Sequence, residues 1–323
     1  MRALAVEGPG RLAVVDRPSP EPGPGEALVD VRVAGICGTD LHLARGYMGF
    51  HGIPGHEFVG TVRRVSAPAD RVLIGARVVG EINLGCQDCQ RCAEGMGRHC
   101  PRRRVLGILN KDGAFAQQLT LPVSNLHALP DSLPDEEAVF AEPLAAAFEV
   151  LDQLAIDHGD RILVLGGGRL GLLVGQVLAG AGASVTVAGR SETSLAVARS
   201  LGLTAVVAPD GITASPFDIV VETTGSPEGL DQAVARVRPR GTVVLKSTCA
   251  TSSLFHSSRA VVDEITIVGS RCGRMEPALA ALRGGSIAVK ILVRDVLSLE
   301  EGAEAFRRAG LPGALKVLLK VAP

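Results

Sequence analysis

The sequence contains no tryptophan, one tyrosine and only five lysines among its 323 residues, and aromatic residues make up 3% of the chain. A core with so few large rings must be packed from aliphatic side chains. Net charge is also nearly absent, because 33 basic residues face 34 acidic ones. This balance provides no overall field for holding nucleic acid or an anionic membrane, and we predict neither as a partner. The 46% hydrophobic content excludes a disordered chain.

Long apolar runs are missing as well. The longest, from Leu170 to Ala183, is interrupted by four glycines and is shorter than the roughly 20 residues that a membrane-spanning helix needs. The amino terminus reaches Glu7 and Gly8 too early to contain the apolar region of a signal peptide. We therefore predict a cytoplasmic protein whose cysteines are reduced.

Two kinds of pattern divide the chain, whose length suggests two domains. From Leu4 to about Val123, short β-like runs alternate with turn residues, which predicts an all-β part with strands at 12–15, 26–36, 58–65, 71–79 and 114–121. After Pro143, buried strands alternate with helices, which predicts a parallel sheet with ligands at the carboxyl ends of its strands. From about Ile287 the pattern predicts a strand, a helix and a further strand.

A glycine-rich turn follows the first strand of the α/β part. Gly166, Gly168 and Gly171 fit G-x-G-x-x-G at the start of an apolar helix. Backbone N–H groups of such a turn bind a pyrophosphate, although a tight turn without a ligand is the alternative in a chain with 39 glycines. We predict a dinucleotide site formed by Gly166, Gly168, Arg169, Leu170, Gly171, Gly189, Arg190 and Ser191.

The end of the next strand predicts which dinucleotide is bound. An NAD site usually has an acidic residue there for the ribose 2′-hydroxyl, whereas this chain has Gly189, Arg190 and Ser191. Gly189 leaves room, and the other two side chains are suited to a 2′-phosphate, so we favour NADP over NAD. Two alternatives are a solvated Arg190 and a ribose contact from Glu192.

Four cysteines form the spacing C-x2-C-x2-C-x7-C at positions 86, 89, 92 and 100, here called the four-cysteine lobe. Thiolates this close in sequence predict one tetrahedral metal, with zinc favoured and an iron–sulfur cluster as the alternative. Nearby arginines offset the negative charge of four thiolates and one zinc: Arg91, Arg98, Arg102, Arg103 and Arg104. A zinc-stapled nucleic-acid module is the rival hypothesis, but it lacks interleaved aromatic residues. We predict a structural metal at Cys86, Cys89, Cys92 and Cys100.

Three further candidate ligands lie far apart in the sequence: Cys37 in GICGTDLH, His56 in PGHEFVG and Glu142 in FAEPLAA. Catalytic zinc commonly has three protein ligands and one open position, and a mixed set of thiolate, imidazole and carboxylate suits it. Taken singly, a buried cysteine or histidine is more often an ordinary core residue.

The motifs together resemble the zinc-dependent medium-chain dehydrogenase/reductase family of the alcohol dehydrogenase type, over essentially the whole chain. GICGTDLH, GHEFVG, the four-cysteine lobe, the EPL step and GGGRLG occur in the family's order. The resemblance implies an α/β plus all-β fold: a GroES-like catalytic domain at 1–145 with the zinc lobe near 85–101, a Rossmann domain with a doubly wound parallel sheet at 146–286, and a return to the catalytic domain at 287–323. It also implies one catalytic and one structural zinc, and we predict a homo-oligomer, a dimer or a tetramer.

The resemblance assigns roles to individual residues. It implies that Cys37 and His56 bind the catalytic zinc, that Asp40 orients His56, and that Thr39 and His42 relay protons. A carboxylate at position 142 resembles the polyol, threonine and sugar dehydrogenase branch, in which Glu142 or Glu57 occupies the third ligand position. The alternatives are that Thr39 caps a helix starting at Asp40 and that His42 is a surface residue. Three side chains wall a substrate pocket or belong to the core: Tyr47, Met48 and Phe50.

The predicted activity is reversible oxidation of an alcohol to a carbonyl, with hydride passing to the nicotinamide and zinc acting as a Lewis acid. The substrate classes left open are a secondary alcohol, a polyol, a sugar and an amino alcohol. Two alternatives belong to other classes: a zinc-stabilised nucleotide-binding protein without catalysis, and a zinc-free quinone reductase that uses NADPH.

Overall fold

The chain divides into two units in the computed structural model, which describes residues 1–212, 216–249, 252–253 and 255–321. Unit 1 comprises Met1–Glu142, Val293–Gly310 and Lys316–Pro323. Unit 2 comprises Pro143–Leu292 and Leu311–Leu315. The carboxyl-terminal part of the chain therefore returns to unit 1 but leaves a short segment in unit 2.

Strands dominate unit 1, and strands alternate with helices in unit 2. The strands are β1 (Arg2–Gly8), β2 (Arg11–Asp16), β3 (Glu26–Gly35), β4 (Glu57–Val65), β5 (Arg77–Gly80), β6 (Asn83–Leu84), β7 (Arg104–Val105), β8 (Gln118–Pro122), β9 (Leu126–Ala128), β10 (Arg161–Leu165), β11 (Ser184–Gly189), β12 (Thr204–Val207), β13 (Phe217–Glu222), β14 (Val237–Leu245), β15 (Thr266–Gly269), β16 (Val293–Ser298) and β17 (Lys316–Lys320).

The helices are α1 (Gly38–Ala44), α2 (Gln90–Ala93), α3 (Asp135–Ala138), α4 (Ala141–Gln153), α5 (Arg169–Gly180), α6 (Glu192–Ser200), α7 (Gly229–Val234), α8 (Ser257–Val262), α9 (Met275–Gly284) and α10 (Gly302–Ala309). Short 3₁₀ turns lie at Tyr47–Gly49, Pro68–Leu73, Gly97–His99, Val123–Asn125, Lys290–Leu292 and Leu299–Glu301. Within the described ranges, no helix is long and apolar enough to cross a membrane.

The central strand of unit 1 is β3, of whose ten residues seven are buried. The sheet runs in the order β16-β17-β3-β4-β5-β9, and β8 also pairs with β3. The antiparallel register places Gly35, at the end of β3, opposite Glu57, at the start of β4. Because Cys37 follows β3 and His56 precedes β4, this pairing brings two distant motifs to one end of the sheet.

The predicted strand at 71–79 is wrong over its first six residues. Residues Pro68–Leu73 form a 3₁₀ turn, and β5 begins only at Arg77. Pro68 sets the first residue of this turn, and Gly75 has a φ of +86°, which strands rarely accommodate. Val72 is consequently 86% exposed, although its apolar side chain suggested a buried strand. The run predicted at 114–121 also starts late, at Gln118.

Unit 2 confirms the predicted parallel sheet. Its six strands are all parallel in the order β12-β11-β10-β13-β14-β15. The chain builds outward from β10 in one direction and then restarts at β13 in the other, so the strand order reverses between β10 and β13. Dinucleotides bind at such a reversal, outside the carboxyl ends of the strands. Leu163, Val187, Val220 and Val243 are completely buried in this sheet, as expected for strands covered on both faces.

Candidate active site

Three potential metal ligands meet where β3 ends and β4 begins. The ligand atoms of Cys37, His56 and Glu57 all lie within 4.8 Å of one another. His56 is 3% exposed and Glu57 is completely buried, while Cys37 is partly accessible. The group therefore combines a thiol, an imidazole and a carboxylate, with its accessible side at the cysteine.

Asp40 fixes the backbone on both sides of this group. Its carboxylate is completely buried and accepts the N–H of Cys37 at 2.8 Å and the N–H of Gly55 at 3.1 Å. The Nδ1 atom of His56 lies 3.3 Å from Asp40 Oδ1. Burial lowers the pKa of the His56 imidazole, but the Asp40 and Cys37 side chains raise it by more, so the net shift is well upward.

A buried ion pair holds Glu57 from its other side. The Nζ of Lys316, at the start of β17, donates to Glu57 Oε2, and the lysine is only 2% exposed. The same Nζ lies 5.6 Å from the centre of the Phe140 ring. Any Cβ at position 35 would collide with Glu57 Oε2, so the glycine at the end of β3 makes room for this pair.

The environment of the second carboxylate oxygen of Glu57 shows whether Cys37, His56 and Glu57 suit a metal ion. Oε1 is buried and makes no hydrogen bond to any described residue. A buried carboxylate oxygen without a partner carries a large desolvation cost, and a cation beside it would remove that cost. Thiolate, imidazole and carboxylate are all ligands of zinc, so the residues fit the ion. Among the described residues, the structure brings Cys37 and His56 together with Glu57 and not with Glu142, a half-buried residue in the first turn of α4.

The helix that follows Cys37 carries the predicted relay residues. Cys37 is the N-cap residue of α1, and Thr39 lies within its first turn, so the interpretation of Thr39 as a cap is wrong. His42 lies in the last turn and is partly buried, with its ring 6.4 Å from that of Tyr47. Burial lowers the pKa of His42, and the positive charge of Arg45 lowers it further.

The short segment after α1 does not belong to the core. Met48 is 56% exposed and has a φ of +59°, and Tyr47 and Phe50 are only partly buried. Of the two interpretations of these side chains, the exposure excludes the core and leaves the wall of a pocket as the prediction.

The sulfur atoms of Cys86, Cys89, Cys92 and Cys100 form a second group, in which all four lie within 4.8 Å of one another. Cys100 is completely buried, which raises its thiol pKa, but the N–H groups of Cys86 and Arg102 point at its sulfur from 3.5 and 3.3 Å. The net result lowers the pKa of Cys100 to about 7. The thiolate form, which binds metals, is thereby favoured at this position.

The arginines near the lobe differ in what they contact. The guanidinium of Arg102 lies 3.3 Å from Cys86 Sγ and also contacts Asp88. Arg103 instead donates to the carbonyl of Cys100, and Arg104 lies 3.9 Å from Glu26. Within the run of three arginines, Arg102 is therefore the one placed to offset thiolate charge.

The backbone of the predicted dinucleotide turn leaves no room for a side chain at two of its glycines, Gly166 and Gly171. Gly166 has a φ of +122°, and any Cβ there would lie 2.6 Å from the hydroxyl of Thr223. A Cβ on Gly171 would collide with the carbonyl of Gly166. Gly168 is the exposed N-cap of α5, and Arg169 and Leu170 begin that helix. The turn thus exposes a helix amino terminus over the carboxyl edge of β10, as a phosphate site requires.

The end of β11 lies beside this turn. A Cβ on Gly189 would come within 3.2 Å of the backbone nitrogen of Gly167. Arg190 is exposed. Ser191 lies close to Gly313, because a Cβ on Gly313 would collide with the hydroxyl of Ser191. The carboxylate of Glu192 forms an ion pair with Arg199.

Sequence patterns do not single out two residues of these sites, Lys316 and Thr223. Lys316 sits in the apolar run ALKVLLKVA, and a lysine at a position that should face the core was the available signal. Thr223 follows a buried strand directly, at the carboxyl edge where ligands bind, but a threonine there is too common to single out.

Two family descriptions match the sequence. Residues 23–131 match the alcohol dehydrogenase GroES-like domain, and residues 170–283 match the zinc-binding dehydrogenase. Among curated proteins, the D-altritol 5-dehydrogenase of Agrobacterium fabrum is 31% identical over 333 residues, which cover 98% of each chain.

Solved structures share the fold along the whole chain. A short chain alcohol dehydrogenase, rspB, from Escherichia coli CFT073, in complex with NADH, superimposes with a TM-score of 0.90 at 28% identity, covering 99% of each chain. A zinc-binding dehydrogenase from Sinorhizobium meliloti 1021, bound to NADP, gives a TM-score of 0.88 at 29% identity, covering 99% of this chain and 98% of that one. The two dinucleotides differ, so these likenesses do not choose between them.

Proposed function

We propose that this chain, which belongs to the polyol and sugar dehydrogenase branch of the zinc-dependent medium-chain dehydrogenase/reductase family, reversibly oxidises the hydroxyl group of a polyol or sugar with NADP. The observation that supports this most directly is the buried group of Cys37, His56 and Glu57, in which one carboxylate oxygen has no hydrogen-bond partner among the described residues. A secondary alcohol and an amino alcohol are the remaining substrate classes.

Zinc would be held by Cys37 Sγ, the His56 imidazole and Glu57 Oε1. The ion supplies a Lewis acid that lowers the cost of negative charge on the substrate oxygen. Glu57 is proposed as the direct third ligand because one of its oxygens lies within 4.8 Å of the ligand atoms of Cys37 and His56, and because Oε1 has no hydrogen-bond partner among the described residues while Lys316 donates to Oε2. The four-cysteine lobe would hold a second, structural zinc, since its four sulfur atoms lie within 4.8 Å of one another and can supply all four ligands of a closed tetrahedral site.

The chain's own residues move the substrate proton. Thr39 would accept the alcohol proton on its hydroxyl and pass its own proton toward His42. The lowered pKa of His42 supports this role, because the imidazole is then neutral near pH 7 and able to accept a proton. Asp40 keeps the His56 side chain oriented through the contact at 3.3 Å.

NADP is preferred over NAD in this proposal. Arg190 is exposed at the end of β11, Gly189 carries no side chain, and Glu192 forms an exposed ion pair with Arg199. A charge-assisted hydrogen bond from Arg190 to the 2′-phosphate is worth about 1.5–3 kcal/mol, or roughly 10- to 150-fold in affinity.

The cofactor preference is tested by comparing kcat/KM for the two dinucleotides. The unmodified protein should prefer NADP, and Gly189→Asp combined with Arg190→Leu should shift the ratio toward NAD by at least about tenfold. Equal values, or a preference for NAD in the unmodified protein, would show that Arg190 has been misinterpreted.

The predicted homo-oligomer and cytoplasmic location remain predictions. The exposed side chains of unit 2 support the oligomer: Val261 and Val262 on α8 are 75% and 79% exposed, and Ile267 on the edge strand β15 is 37% exposed. Light scattering with size-exclusion chromatography measures the state directly, and a monomer would contradict the prediction.

The activity is tested by screening polyols, sugars, secondary alcohols and amino alcohols with both cofactors, together with the metal content. We expect two zinc ions per chain and turnover of a polyol or sugar. One zinc and no turnover would support the binding protein without catalysis, and no zinc would support the quinone reductase.

A further inference from the structure

A buried carboxylate lies at the carboxyl edge of the parallel sheet without a role in the proposed chemistry. Glu222 is the last residue of β13 and is 3% exposed. Its neighbours in the register are Leu165, at the end of β10, and Leu245, at the end of β14. Burying a carboxylate is costly unless several donors satisfy it, so the donors identify what this residue holds.

Those donors come from two different loops. Glu222 Oε1 accepts the backbone N–H of Thr224 at 2.6 Å and its hydroxyl at 2.5 Å, both in the loop between β13 and α7. Oε2 accepts the hydroxyl of Ser247, in the loop that follows β14. Ser247 Oγ in turn accepts the N–H of Gly225 at 3.0 Å. The carboxylate therefore binds the two loops to each other.

The packing around the carboxylate leaves little space for adjustment. A Cβ on Gly229, the first residue of α7, would lie 2.5 Å from Glu222 Oε1 and 2.6 Å from the hydroxyl of Thr224. A glycine at this position lets the helix start directly over the carboxylate. The link between the loops is thus built into the start of α7.

The neighbouring residue connects the same strand to the phosphate turn. The hydroxyl of Thr223 lies 2.9 Å from the carbonyl of Gly166 and 3.1 Å from that of Leu165. Its backbone N–H also donates to Leu165 at 2.9 Å. The end of β13 is consequently attached on one side to the dinucleotide turn and on the other, through Glu222, to the loop after β14.

The strand order indicates which half of the cofactor lies near each of these hydrogen-bonded loops. A doubly wound sheet consists of two mononucleotide-binding halves that meet at the reversal of strand order. The turn with Gly166 and the end of β11 with Arg190 belong to the half formed by β10, β11 and β12. Glu222 and Ser247 belong to the half formed by β13, β14 and β15, which receives the nicotinamide mononucleotide end.

We propose that Glu222 is a positioning residue for the nicotinamide half of the cofactor. By accepting from Thr224 and Ser247 together, it fixes these two residues, which follow β13 and β14, at the spacing that the nicotinamide end requires. The adenosine and phosphate half has its own attachments at Gly166 and Arg190 and does not depend on this link. The proposal rests on the proposed use of a nicotinamide dinucleotide.

Ser247→Ala is the variant that removes only the link between the loops. Binding is measured by calorimetry with NADP⁺, with NADPH and with 2′-phospho-ADP-ribose, which lacks the nicotinamide. We expect the Kd of both complete cofactors to rise about 5- to 20-fold, because a hydrogen bond to a charged group is lost, while the Kd of the fragment changes less than about twofold. Ser226→Ala is the matched control, since that hydroxyl lies in the same loop and contacts only the exposed Glu228 among the described side chains.

Glu222→Gln gives a second measurement with the size of the side chain retained. Its amide oxygen still accepts from Thr224, and its NH₂ group can donate to Ser247 Oγ, so the link is kept through neutral hydrogen bonds. We therefore expect Glu222→Gln to weaken binding of the complete cofactors less than Ser247→Ala does, and the double variant should bind about as weakly as Ser247→Ala alone.

Equal weakening of fragment and complete cofactor would assign Glu222 a purely structural role and overturn the proposal. Unchanged binding in Ser247→Ala, or the same loss in Ser226→Ala, would also overturn it. These measurements need no alcohol substrate. The role of Glu222 can therefore be tested even if the substrate screen finds no turnover. If the unmodified protein binds neither dinucleotide, the proposed function fails and the inference fails with it.

Discussion

The two cysteine-containing groups of unit 1 are held in opposite ways. Cys37, His56 and Glu57 come from segments separated along the chain and are brought together by the pairing of β3 with β4. Asp40 and Lys316 then fix their backbone and side chains from two sides. The four-cysteine lobe instead lies within residues 86–100, where α2 and one 3₁₀ turn are the regular elements, and three of its four cysteines are partly accessible.

The two groups differ in how much a bound metal ion contributes to the stability of the fold. The sheet orders the first group whether or not an ion is bound, because its strands have their own hydrogen bonds and apolar core. The lobe has too little buried apolar surface to order itself, so its metal binding and its folding are coupled. Removing a ligand should therefore abolish chemistry at the first group and stability at the second.

His56→Ala should have the largest effect. We expect turnover to fall at least about 1,000-fold, because the Lewis acid that lowers the barrier by several kcal/mol is lost. NADPH affinity should stay within about threefold of the unmodified value, since the phosphate turn belongs to the other unit and is held there by Thr223. Steady-state kinetics and calorimetry measure the two quantities.

Metal analysis separates this result from general damage to the fold. His56→Ala should lose one of two zinc ions and retain the other in the lobe. Retained turnover in this variant, or in Cys37→Ala, would contradict the proposed zinc mechanism.

Cys89→Ser tests the other side of the comparison. Loss of this ligand should lower the Tm by about 10 °C or more, because the lobe loses the ion that orders it. The fraction that remains folded should have a nearly unchanged kcat, since the lobe holds no reacting group. A variant with the unmodified Tm, or one that keeps its Tm and loses kcat, would show that the lobe's metal is not structural.

The same contrast explains how far the sequence could predict each group. The lobe's ligands are a contiguous pattern, so spacing alone singled them out. Cys37 and His56 could be joined only through resemblance to a family, because nothing local connects them. The contribution of Glu57 depends on the register that sets it opposite Gly35, and its partner Lys316 lies 259 residues away.

Unit 2 was more predictable, because its strands and helices alternate along the sequence and a parallel sheet follows from that order. The roles of Glu222 and Thr223 were not predictable, since Ser247 and Gly166, which they contact, follow other strands of the sheet. Local pattern thus predicts elements, and pairing between distant elements decides which side chains meet.

Lys316→Met tests how much the buried ion pair with Glu57 stabilises the site of Cys37, His56 and Glu57. Breaking a buried pair by deleting one partner costs about 3–5 kcal/mol, because Glu57 keeps an uncompensated charge. The loss should be greater after chelation of the metal, since a bound ion gives Glu57 a second partner. Thermal unfolding with and without a chelator measures it, and Glu57→Gln combined with Lys316→Met should recover part of the loss. An unchanged Tm in the single variant would mean that the pair is not important for stability.

Arg102→Gln should have the smallest effect, because the guanidinium beside Cys86 is 60% exposed and water screens its charge. We expect zinc to leave the lobe about two- to fivefold faster at low ionic strength, since a cation next to the thiolates opposes their mutual repulsion. The difference should vanish near 1 M salt, where the screening length is only about 3 Å. Arg91→Gln is the matched control, because that guanidinium contacts the sulfur of Met96 and, within the described part of the chain, no cysteine. Release is followed with a zinc-binding dye, and an effect that persists at high salt, or is equal in the control, would show that Arg102 acts through packing and not through charge.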